Sequence, residues 1–78
     1  MSAFWAHVLD NPENTVSYGL DHVTGWFYTE FNSDDEPVVE LDSMFTGLSK
    51  GKLLELLEKT DAPAKHLKRI ALDLDPKA

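Results

Sequence analysis

The sequence predicts an α+β fold: a small antiparallel meander of three strands, or four, followed by a helical hairpin packed on one sheet face. Three observations predict it. Between Thr15 and Leu41, apolar and polar residues alternate in short runs separated by turn-forming residues. From Ser49 onward the apolar spacing changes to that of helices. The pattern switches once, near 46–49, with no repeat and no low-complexity tract.

Residues 3–9 (Ala-Phe-Trp-Ala-His-Val-Leu) fit either a helix with Phe4, Trp5, Val8 and Leu9 on one face or a half-buried strand. The strand is favoured because the segments that follow need a partner. Asn11-Pro12-Glu13-Asn14 reads as a turn. In 15–20, Val16, Tyr18 and Leu20 point one way, while Ser17, Gly19 and Asp21 point the other. Asp21-His22-Val23-Thr24-Gly25 is a hairpin loop: Asp21 can accept backbone N–H bonds, and Gly25 can take a left-handed conformation. The aromatic run 26–32 is the return strand. A second turn spans 32–37, and Val38 to Leu41 forms a short strand that Pro37 is allowed to start.

Met44, Phe45 and Leu48 lie in a connector. Ser49 is the expected N-cap of a helix from Lys50 to about Lys59, buried through Leu53, Leu54, Leu56 and Leu57. Thr60 and Asp61 are read as its stop and as caps for a second helix over 63–74. That helix has Pro63 in its first turn and Leu67, Ile70, Ala71 and Leu74 on its buried face. The 78 residues read as one domain, with sheet region 1–45 and helical hairpin 46–78.

Net charge is −7, unevenly spread. Residues 1–49 hold nine acids and no Lys or Arg, whereas 50–78 hold seven bases and five acids, a division of −9 against +2. The acidic part repels phosphate backbones and attracts basic surfaces. No cysteine is present, so disulfides, thiolate metal sites and cysteine nucleophiles are excluded. No apolar run approaches a membrane span, and Met1 to Asp10 lacks the features of a signal peptide. A cytoplasmic location is the expectation.

The aromatic run carries the most information about function. Trp26 and Tyr28 fall on one sheet face, Phe27 and Phe31 on the other, so one pair faces the helices and the other does not. The expected function is a non-enzymatic interaction module for a protein with a basic surface. Its expected contacts are Trp26, Tyr28, Asp34, Asp35 and Glu36. Nucleic acid is disfavoured as a ligand of the sheet, because stacking platforms need a positive groove. A homodimer stays open, since the unlike charges of the two halves favour head-to-tail contact.

Two alternatives compete. Lys65, Lys68 and Arg69 share a face of helix 63–74, as a helix-turn-helix DNA-binding regulator requires. Asp21 and His22 are neighbours that a small metal-binding or catalytic domain could use. The three histidines, however, lack ligand spacing. Asn32-x-Asp34-x-Glu36 opens like a calcium loop but has Pro37 where the glycine belongs and Ser43 where the closing acid belongs. No catalytic residue, cofactor site or metal site is marked.

Overall fold

The computed structural model describes residues 2–76. Four strands, β1 (Ser2–His7), β2 (Thr15–Asp21), β3 (Gly25–Phe31) and β4 (Pro37–Asp42), precede two helices, α1 (Lys50–Leu57) and α2 (Ala64–Ala71). The strands form one antiparallel sheet in the order β1-β2-β3-β4, so every sheet pairing is between chain neighbours. The expected α+β fold, with a fourth strand at the N-terminal side, is what the chain adopts.

Local chemistry sets each junction. The Asp21 carboxylate accepts the N–H groups of Val23 (2.7 Å) and Thr24 (3.3 Å), which closes the β2–β3 loop. Gly25 completes it at φ 81, where a Cβ would lie 2.9 Å from that of Ser43. In the next turn the Asn32 carboxamide oxygen accepts from Asp34 N (2.9 Å) and Glu36 N (3.0 Å). A register shift between Glu30 and Phe31 then sets Pro37 opposite Phe31. Ser49 caps α1 by accepting the Lys52 N–H at 3.1 Å.

One sheet face is covered. Ala6, Val16, Tyr18 and Tyr28 are buried there against Leu53 and Leu57 of α1 and Ile70 of α2, with Phe4, Trp26, Val39 and Leu41 packed around them. Leu54, Leu56 and Leu67 are half-buried at the margin.

The helical hairpin departs from expectation at three points. Helix α1 stops at Leu57. The Thr60 hydroxyl donates to the Leu57 carbonyl (2.7 Å) and accepts from Ala62 N (3.2 Å), so Thr60 terminates α1 and does not cap α2. Asp61 is drawn elsewhere: its carboxylate accepts the His7 N–H at 2.7 Å, and its own N–H donates to the His7 carbonyl at 3.0 Å. With Leu9 N on Lys59 O (2.9 Å) and a Val8–Thr60 bridge, the segment between the helices runs along the end of β1. Pro63 is therefore the N-cap of α2, with no side-chain cap. Finally, α2 ends at Ala71. Asp73 takes φ 60, and bonds from Asp73 N to Ile70 O and from Leu74 N to Arg69 O form a Schellman closure. Leu74 thus lies beyond the helix and is exposed, as is Ala71.

Candidate functional site

The sheet has one face under the helices and one face with no layer over it. Strand alternation and register decide which side chain goes where. The Asp21–Gly25 closure sets Tyr18 opposite Tyr28 and Leu20 opposite Trp26. The apolar side of β2 must face the helices, so Trp26 and Tyr28 go with it. Tyr28 is buried and Trp26 is half-buried against the same core. Of these two expected contact residues, Tyr28 is therefore interior, and Trp26 lies at the margin of the same core. Burial, then the nearby Glu30 carboxylate, pushes the Tyr28 hydroxyl up to about 12.

The uncovered face carries the other aromatic set. Three rows cross the strands: His7–Thr15–Phe31–Pro37, Trp5–Ser17–Thr29–Glu40 and Ala3–Gly19–Phe27–Asp42. Trp5 is 64% exposed, while Phe27 and Phe31 are half-buried. The Trp5 and Phe31 rings meet across β2 with centroids 5.7 Å apart and planes tilted by 37°. Short side chains, Ser17, Thr29 and the bare Gly19, lie between the aromatic groups.

The acids surround this face. Asp34, Asp35 and Glu36 are exposed in the turn directly after Phe31, with Asp35 at φ 59, a conformation Asp tolerates. The Asp42 carboxylate is engaged, accepting from Phe45 N and Thr46 N. Asp21 is likewise engaged, and its loop bonds to Val23 and Thr24 hold its carboxyl below the usual range. Glu40 is exposed, with no hydrogen-bond or ion-pair partner among the described residues. His7 lies on this face at the β1 edge, with its Nδ1 3.6 Å from Asp61.

Every Lys and Arg follows residue 49 in sequence, and those of the two helices lie in the layer behind the sheet. Lys65 and Lys68 are exposed on α2, while Arg69 is half-buried with its Nε donating to the Asp75 carbonyl at 2.7 Å. The link between the helices, residues 58–63, is bound to β1 and is longer than the three- or four-residue turn of a helix-turn-helix. At the other candidate, Asp21 already serves its loop, and no three His, Cys, Asp or Glu among the described residues gather where a metal ion could sit. No described helix is long and apolar enough to cross a membrane.

A buried polar pair was not foreseen from sequence. The Tyr18 hydroxyl and His66 Nδ1 are 2.7 Å apart, and the Phe4 and His66 rings pack at 4.4 Å. Burial, then Lys65, holds the His66 pKa below its ordinary value; burial, then Asp61, pushes the Tyr18 hydroxyl up to about 12. With both groups satisfied inside the core, the pair ties α2 to β2.

No family model, curated protein or solved structure compared with this chain matches it.

Proposed function

We propose that this chain is a small non-enzymatic interaction module that receives a basic protein surface on its uncovered sheet face. The observation that carries the reading is the coincidence on one side of Trp5, Phe27 and Phe31 with an acidic rim, while the Lys and Arg of the two helices lie behind the sheet. Aromatic residues supply affinity at interface centres, and rim charge speeds encounter with an oppositely charged partner. The contact set becomes Trp5, Phe27, Phe31 and Glu40, with Asp34, Asp35 and Glu36 at the edge.

The test compares capture from nuclease-treated extract by three forms of the tagged chain. Trp5→Ala with Glu40→Lys should lose basic proteins that the wild type retains. Lys65→Glu with Lys68→Glu should keep them. The reverse pattern would move the function to the helical layer and overturn the reading.

A further inference from the structure

Resting on that reading, we infer that the side chain received at the centre of the uncovered face is arginine. In the row Trp5–Ser17–Thr29–Glu40, the end residues are large and the middle two are short. Strand spacing puts the ends about 14 Å apart at the backbone. Phe27 and Phe31 each lie two residues from Thr29 along β3, roughly 7 Å to either side. The Trp5 and Phe31 rings converge over β2, so the low part of the row is a shallow trough over Thr29, between Phe27 and the Trp5–Phe31 pair. It has aromatic walls, a hydroxyl floor and, at its β4 end, the exposed Glu40 carboxylate.

Few side chains satisfy all three surfaces. An anion is repelled. An aliphatic side chain leaves the hydroxyls of Ser17 and Thr29 and the charge of Glu40 desolvated without a partner. A lysine ammonium answers the charge, but it is compact and strongly hydrated, so it gains less from the rings. A guanidinium stacks flat on aromatic faces and sheds water more readily. It also offers paired N–H donors to one carboxylate while its aliphatic stem lies along the trough.

The experiment titrates the full chain with two peptides of equal length and charge, one alternating Arg and Ser, the other Lys and Ser, followed by calorimetry. The Arg peptide should bind about tenfold tighter. Glu40→Gln or Phe31→Leu should bring it down to the Lys value, with the circular dichroism spectrum unchanged. Equal affinities that are both lost in Trp5→Ala would overturn the arginine assignment and leave the interaction face standing. No binding of either peptide, or binding indifferent to the three substitutions, would overturn both.

Discussion

Tyr18 and His66, 48 residues apart in sequence, share a buried 2.7 Å hydrogen bond that joins β2 to α2. Helix α2 is short and its N-terminus has no side-chain cap, so this bond, the burial of Ile70 and the Phe4–His66 ring contact all help to hold it on the fold.

The pair makes stability depend on pH. The folded-state pKa of His66 lies below the ordinary 6.5, because burial disfavours the imidazolium. Its contribution is therefore complete above 6.5 and is lost as pH falls from there toward the depressed value. Thermal midpoints should drop between about pH 7 and pH 5, and less steeply in His66→Leu. Equal slopes would show that His66 is not the responsible group.

Alkaline titration tests the other partner. Tyr18 and Tyr28 both ionise at about 12 instead of 10.0 while the chain is folded. Phenolate absorbance should appear only well above pH 10.0, and the stability these groups contribute should decline as pH rises through that interval. An ordinary phenolate titration in the folded protein would contradict their burial.

Tyr18→Phe removes the hydroxyl and leaves His66 Nδ1 buried without its partner. The expected loss is about 1–3 kcal/mol by denaturant unfolding. Leu53→Ala and Leu57→Ala each open a cavity between α1 and the sheet and should cost about 2–5 kcal/mol. If Leu53→Ala cost no more than a surface change, α1 would not be packed as described.

On the uncovered face the expectation is opposite. Trp5 is large but 64% exposed, so Trp5→Ser should change stability by less than about 1 kcal/mol, mostly through the lost ring contact with Phe31. A large aromatic residue that can be removed with little effect on folding is one whose role lies outside the fold. A loss as large as that of Leu53→Ala would make Trp5 a structural residue.

Turn chemistry at Gly25 gives a further check. Ala there must adopt φ 81 and bring its Cβ within 2.9 Å of Ser43. Gly25→Ala should destabilise by at least about 1 kcal/mol, whereas Gly51→Ala, in the first turn of α1 where a Cβ would meet only the Ser49 hydroxyl at an ordinary 3.9 Å, should stabilise or be neutral.

Sequence reading succeeded where the determining interactions are local. The Asp21 and Asn32 turns, the Ser49 cap and the strand alternation each depend on residues within a few positions. It failed where a distant residue competes. Asp61 looked like a helix cap, but His7, 54 positions away, takes its carboxylate. Alternation separates the Trp26 and Tyr28 face from the Phe27 and Phe31 face without saying which is covered. The Asp21–Gly25 loop decides it: it sets Tyr18 against Tyr28, and Tyr18 lies on the apolar side of β2. Trp5 was hidden by a different ambiguity. A helix would set it beside Phe4, whereas a strand sends the two to opposite faces. Nothing local marks His66 as the partner of Tyr18.

The attachment of residues 59–61 to the end of β1 also sets an order of events. Each strand pairing in the meander closes a short loop and can form early, whereas the Val8–Thr60 bridge must wait for more than fifty intervening residues. During synthesis the first strand emerges first but gains its outer neighbour only after α1 has been made. An edge strand of the sheet is thus secured by a segment made after all four strands.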